Sequence, residues 1–377
     1  MLFPARLLIL QSTSFCNIDC EYCYLPDRSK KRRMPLDVVS AAVRFVAEGG
    51  LLDSATTVVW HAGEPLTVPV DWYREASRLI ADGWGRPYFS QAFQTNGMLI
   101  NSQWCEYFAE TGSRVGVSLD GPPDLHDNRR KRRNGRGTHA ETMRGVDLLR
   151  KAGVDFHVLC VISQDSLDRA DEIVEFFVRE DIRNIGFNVE EAEGAHTVSP
   201  LFIESSVSRF ASFFDRVLDR AASFGGRLTI REVSEVVSAL ANPNFGRKLT
   251  RSEASPFAYV AVATDGGIST FSPELLGQTG RESDPPGFVF GNVTRDSLGK
   301  IVKRSVYRRI AEEIENGVSA CRRECPYFDF CGGGSPVNKL FELGRFSGTQ
   351  TYYCRLAKQV VSDVILARLE SGAALPI

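Results

Sequence analysis

The chain has 377 residues, a formal charge of −2 at pH 7, 43% hydrophobic and 24% charged residues. That is the balance of a soluble globular protein with one large domain and a smaller one, at about 150 residues per domain. No run approaches the roughly 20 apolar residues that span a bilayer, and the small net charge speaks against a dedicated nucleic-acid binder, so neither membrane nor nucleic acid is an expected partner.

The first predicted element is the apolar strand Leu7 to Leu10, with no signal peptide ahead of it. Together with an odd total of nine cysteines this fits reduced thiols and a cytoplasmic location better than a disulfide framework. Cys16, Cys20 and Cys23 follow at once, in Ser-Phe-Cys-Asn-Ile-Asp-Cys-Glu-Tyr-Cys-Tyr. A 4Fe-4S cubane normally takes four thiolates, so a tight loop offering three leaves one iron free for a substrate or cofactor. A zinc site usually wants four ligands in two spaced pairs and is the weaker alternative.

Beyond the basic run Arg28 to Arg33, apolar strands alternate with amphipathic helices. The strands are Leu7 to Leu10, Thr57 to Trp60, Phe89 to Gln94, Arg114 to Leu119, Phe156 to Ile162 and Asn184 to Asn188. The helices include Leu36 to Glu48, Trp72 to Ala81, Gln103 to Thr111 and Ala140 to Lys151. This is the pattern of βα units around a parallel sheet, and periodicity alone leaves a partial barrel and an open doubly wound sheet both standing. In a barrel the chemistry sits at the C-terminal strand ends. Those ends carry Trp60-His61-Ala62-Gly63-Glu64-Pro65, Gln94-Thr95-Asn96-Gly97 and Ser118-Leu119-Asp120-Gly121, which alone are ordinary turn signals. Two basic runs, the second being Arg129 to Arg136, read by default as solvated loops, with an acidic peptide or another anion as the functional alternative. Cys105 and Cys160 lie on apolar stretches and read as packing residues. His61, His139, His157 and His196 lack metal spacing and receive no site.

After a helix from about Glu204 to Phe224, Gly and Pro interrupt the pattern. The expected division is a barrel at 1–225, a bridging region at 226–260 and a cysteine-rich domain at 261–377. Cys321-x3-Cys325-x5-Cys331 with Cys354 supplies four thiolates, enough to close an auxiliary 4Fe-4S cluster, or a treble-clef-like zinc site as the alternative.

The first triplet, with the aromatic Tyr22 just before its third cysteine, resembles the radical S-adenosylmethionine (SAM) superfamily. The resemblance implies a partial (β/α)6 TIM-like barrel. It also implies a cluster held by Cys16, Cys20 and Cys23 whose free iron chelates SAM, and an external low-potential electron donor. A 5'-deoxyadenosyl radical then abstracts hydrogen, the cofactors carrying the chemistry and the protein orienting them. Ala62-Gly63-Glu64-Pro65 looks like the family's Gly-Gly-Glu-Pro motif with its first glycine replaced. By the same resemblance Tyr22, Gly63, Glu64, Asn96, Ser118 and Arg130 fall on the SAM side, and Asp120 near the transferred hydrogen or the substrate.

The C-terminal cysteines resemble the SPASM extension of peptide-modifying relatives, which usually has seven. Here Gly332-Gly333-Gly334-Ser335 follows Cys331, and no cysteine lies between Cys160 and Cys321. The inner auxiliary cluster's ligands are therefore absent, and Cys321, Cys325, Cys331 and Cys354 match the outer cluster. The segments Phe-Ser-Pro-Glu-Leu-Leu (271–276) and Cys-Gly-Gly-Gly-Ser-Pro-Val-Asn-Lys-Leu-x-Glu (331–342) resemble the cyclophane-forming maturases of the GrrM/OscB type and their triceptide-forming relatives. That implies a carbon–carbon bond between an aromatic ring and the Cβ of a nearby residue in a ribosomally synthesised precursor peptide. Glu274, then Asp120 and Glu191, are the expected proton acceptors, with capping or turn roles as the plain alternative. With no extension ahead of the first strand, the barrel or the cysteine-rich domain is expected to capture the peptide. Thioether formation, epimerisation and sulfatase-type Ser/Cys oxidation are alternative outcomes. A non-catalytic iron–sulfur or zinc protein is the alternative outside enzymes.

Overall fold

The structure is a computed structural model that describes residues 4–242, 253–276, 278 and 287–376. Part of the expected bridging region, residues 243–252, lies outside the described residues.

Short segments with buried apolar residues form the six expected strands. These are β1 (Leu7–Leu10), β3 (Thr57–Trp60), β4 (Ser90–Thr95), β5 (Arg114–Ser118), β7 (Phe156–Ile162) and β8 (Asn184–Val189), and they lie side by side in parallel in that order. Parallel neighbours need a crossover. Helices α1 (Leu36–Glu48), α2 (Val70–Trp84), α3 (Ser102–Thr111), α5 (His139–Lys151) and α6 (Ala170–Arg179) supply it. In α2 the buried side chains Trp72, Tyr73, Ala76, Ile80 and Trp84 recur every three to four residues and face the sheet. Tyr73 packs edge-on against Trp60 and Phe93, at ring separations of 5.0 and 5.1 Å. Each such pair contributes about 0.5–1.5 kcal/mol beyond area burial. The Tyr73 hydroxyl still finds partners, donating to Ser12 Oγ at 2.6 Å and the Pro65 carbonyl at 2.8 Å. Both acceptors lie on chain that has just left the top of the barrel, so the core fixes the start of two site loops.

The sheet is wider than six strands. Beyond β8 lies β9 (Thr229–Ile230). Beyond β1 lie β10 (Tyr259–Val262), parallel to it, and then antiparallel β11 (Gly267–Thr270) and β12 (Gly291–Asn292). The domain limit expected at residue 261 thus falls inside β10, where continuous pairing carries the sheet from Leu7↔Tyr259 to Leu10↔Val262. A two-stranded sheet that no periodicity announced joins β2 (Ile18–Cys20) to β6 (Arg130–Arg132), which follows directly on the short helix α4 (Pro123–Arg129). The C-terminal helix Ser305–Glu324 carries Cys321 in its last turn with Cys325 just beyond it, Cys331 and Cys354 end the short helices Phe328–Cys331 and Tyr352–Cys354, and the helix Pro336–Leu343 lies between those two. A π-helical stretch, Arg355–Val360, and the helix Val361–Ser371 pack against α7 (Glu204–Ala222), and Arg355 and Arg368 pair with Glu204 and Asp215 at 2.6 and 2.8 Å. Among the described residues no helix is long and apolar enough to cross a membrane.

Candidate active site

The three cysteines of the first set sit on a loop held from two sides. On one side the backbone of the first basic run grips it: Cys16 N–H donates to the Arg28 carbonyl at 2.9 Å, and Thr13 and Ser14 hydroxyls donate to the Arg32 and Lys30 carbonyls. On the other side β2 pairs with β6 in the register Cys20↔Arg130. Arg133 donates to the Cys16 and Arg28 carbonyls at 3.1 and 2.6 Å and lies over the Phe15 ring. The two basic runs are therefore not plain solvated loops; they are the walls of the cysteine loop.

That register sets Arg130 beside Cys20, with Nη1 3.9 Å from Sγ. The guanidinium pairs with both oxygens of Asp120, at 2.9 and 3.2 Å, and lies over the Tyr22 ring. Asp120 also accepts from Tyr22 Oη and from Val161 N–H at 2.9 Å, and is only 3% exposed. Both of its oxygens are engaged, and they order Tyr22 and Arg130. Arg130 thus faces both Asp120 and Cys20. Burial raises Cys16 and pushes Cys20 up to about 12 despite the relief from Arg130. Thiols so placed ionise when bound iron supplies positive charge, so the donor set fits a cluster.

Glu64 is buried at the end of β3. Its carboxylate accepts from Leu66 N–H at 3.0 Å, Thr95 Oγ1 at 2.7 Å and Asn96 N–H at 2.8 Å, and burial pushes it up to about 7. It ties the β3 end to the β4 end. Asn96 in turn donates to Asn17 Oδ1 at 2.7 Å, against the cysteine loop, and Ser118 Oγ accepts from Gln94 at 2.9 Å. Gly63 is dictated by space, since φ is +134° and a Cβ would sit 2.2 Å from the Thr13 carbonyl oxygen. Ala62 has φ +67°, a left-handed conformation that explains why glycine suits the position and that costs about 1 kcal/mol here.

A third group of residues lines a cavity of about 1200 Å³ whose walls include the β8 end, the 272–274 turn and the helix Pro336–Leu343. Glu191, Glu193, Glu253 and Glu274 all face it. Asn338 donates to Glu191 at 2.6 Å and to Glu193 at 2.7 Å. Burial raises every member, and repulsion from neighbouring carboxylates adds to it for three: Glu191 to about 8, Glu274 to about 7 with Glu253 as the repelling neighbour, and Glu193 well above the usual range. Ser272 Oγ donates to Glu274. Tyr24, next to Cys23 in the chain, is raised by burial first and then by the nearby Glu274. Its hydroxyl meets His61 Nε2 at 3.1 Å, while His61 Nδ1 is buried without a partner and burial lowers the ring to about 4.

The second set lines its own cavity of about 260 Å³, which Cys321, Cys325, Cys331 and Cys354 all face. Gly332, Gly333 and Gly334 all have positive φ, so the turn after Cys331 is built for glycine. The N–H groups of Gly333 and Gly334 point at the Cys331 sulfur, and burial with the neighbouring Cys331 pushes Cys354 up to about 12.

Residues 10–177 match the model of the Radical SAM superfamily. An uncharacterised protein of Synechocystis sp. is 38% identical over 380 residues, covering 99% of this chain and 94% of that protein. The chain belongs to the radical SAM superfamily. A serine-type anaerobic sulfatase-maturating enzyme of Bacteroides thetaiotaomicron is 30% identical over 209 residues, 52% of this chain and 50% of that enzyme. Among solved structures, native anSMEcpe with bound AdoMet and Cp18Cys peptide superposes with a TM-score of 0.74 at 20% identity, covering 99% of both chains. The fold is that of SPASM-type radical SAM enzymes, and this radical SAM chain is an enzyme with a SAM-binding 4Fe-4S site.

Sequence reasoning missed Tyr24, His61, Glu193, Glu253 and Asn338. His61 adjoins the Gly-Glu-Pro turn and Asn338 lies inside a motif already singled out, so both had a positional signal. Glu253 had none, because nothing in its own neighbourhood marks it as facing a cavity.

Proposed function

We propose that this radical SAM enzyme joins an aromatic ring carbon to the Cβ of a nearby residue in a ribosomal precursor peptide. The observation that carries the reading is that the two segments resembling cyclophane-forming maturases, 271–276 and 331–342, border one chamber and contribute Glu274 and Asn338 to it. Such a bond removes two hydrogens, one as an atom from Cβ and one from the ring as a proton and an electron. When bound, SAM on the first cluster supplies the hydrogen-abstracting radical and an auxiliary 4Fe-4S cluster supplies an electron acceptor.

The chain's own residues do the rest. Cys16, Cys20 and Cys23 hold the first cluster on a loop that Arg130, Asp120 and Glu64 keep in place, with Gly63, Asn96 and Ser118 at the strand ends toward SAM. Glu274 takes the ring proton: at neutral pH it is divided between its two states, which is where a general base works best. Glu191 and Glu193, bridged by Asn338, are the reserve acceptors. Cys321, Cys325, Cys331 and Cys354 hold the auxiliary cluster. In support, the four thiols all face one space of about 260 Å³. A cytoplasmic setting with an external low-potential donor keeps both thiol sets reduced.

The similarity to serine-type sulfatase maturases favours one second reading, oxidation of a Ser or Cys side chain. Co-expression with a short peptide encoded beside the gene, followed by fragmentation mass spectrometry, tests both. Cross-linking predicts loss of two hydrogens per site with fragmentation suppressed between an aromatic residue and its neighbour. The same loss confined to a Ser or Cys residue would replace cross-linking by oxidation. An unchanged peptide alongside continued SAM cleavage would remove both.

A further inference from the structure

We propose that Lys339 is a buried charge partner of the second cysteine set and raises the reduction potential of the cluster held there. This rests on the auxiliary-cluster reading above.

Lys339 is 3% exposed, and its Nζ donates to Cys321 Sγ at 3.4 Å. Room for the ammonium is kept by Gly317, where a Cβ would stand 3.2 Å from Nζ and 2.5 Å from the Phe346 carbonyl oxygen. A buried ammonium is costly unless it meets an anion, and a neutral thiol is not one. A thiolate bound to iron is. The potential of an iron–sulfur cluster follows its net charge and the hydrogen bonds to its sulfurs. Adding one electron adds one negative charge and takes up no proton, so a fixed cation at 3.4 Å from a ligand sulfur favours the reduced form. The residue before it, Asn338, holds Glu191 and Glu193. One turn of helix therefore joins the second cysteine set to the chamber carboxylates.

The test uses the full chain with Cys16, Cys20 and Cys23 replaced by Ala, reconstituted anaerobically so that only the second set is loaded. Its midpoint potential is read by EPR during dithionite titration, with Lys339 intact and as Lys339→Met, Lys339→Gln and Lys339→Arg. The expected result is a midpoint shifted to more negative potential in the Met and Gln variants and near the parent value in the Arg variant, at equal iron content. Midpoints equal to the parent's in the Met and Gln variants at full iron content would overturn the proposal. Loss of iron from all three, the Arg variant included, would also overturn it, because a packing residue and not a charge would then be at work. A parent chain whose second set holds no iron removes the auxiliary-cluster reading itself, and the iron count alone distinguishes that failure.

Discussion

Glu274 illustrates how burial makes a carboxylate useful. In water it would be ionised at neutral pH and a poor match to its task; the chamber and Glu253 push it up to about 7. As the proton acceptor it works in its ionised form, so cross-link formed per SAM cleaved is predicted to rise through pH 7 and to fall about tenfold per unit below it. A flat profile from about pH 6 to about pH 8.5 would count against Glu274. Glu274→Gln is predicted to lower that ratio about 100-fold or more, with SAM cleavage itself kept. The same raised carboxyls have a second consequence. Their folded values lie above the unfolded ones, so the folded chain holds protons that the unfolded chain has released. Apoprotein stability, measured as Tm, is therefore predicted to fall as pH rises from about 6.5 to 8, above the range in which the buried, neutral His61 and His126 oppose the trend.

At the scale of elements, the first cysteine loop is positioned by contacts between strand ends that are distant in sequence. Gly63 is where two of them come closest, with a would-be Cβ 2.2 Å from the Thr13 carbonyl and 3.2 Å from that of Phe15. Gly63→Ala must push the segment leading into Cys16. The predicted cost is about 1–3 kcal/mol, with loss of about four irons from the first set while the second keeps its own. Full iron with unchanged Tm would mean that the loop yields without harm. The β2–β6 pair works in the same way, since its register alone brings the Arg130–Asp120 pair to Cys20. Sequence displayed Arg129 to Arg136 as a basic run. It offered no way to see that the run begins with a strand, because three residues are too few for a period to show.

For the whole molecule, the two cysteine sets occupy separate parts of the fold, one at the top of the barrel and one among the C-terminal helices. The reconstituted chain is predicted to hold about eight irons, at about four per cubane. Replacing Cys16, Cys20 and Cys23 should abolish SAM cleavage and leave about four; replacing Cys321, Cys325, Cys331 and Cys354 should leave SAM cleavage and abolish the peptide product. About twelve irons in the intact chain would mean a third cluster and overturn the reading of the missing cysteines.

The sequence by itself determined the local and periodic features. Six strands and their helices follow from short apolar segments and from apolar residues every three to four positions, and the thiol triplet's chemistry follows from spacing within one loop. Only the tertiary structure decided which side chains meet. It committed Asp120 and Glu64 to internal bonds, gathered Glu191, Glu193, Glu253 and Glu274 around one chamber, and carried the sheet through residue 261. The reason is physical: secondary structure arises from interactions a few residues apart, whereas the protonation, burial and reach of a functional group depend on neighbours that the chain brings in from far away.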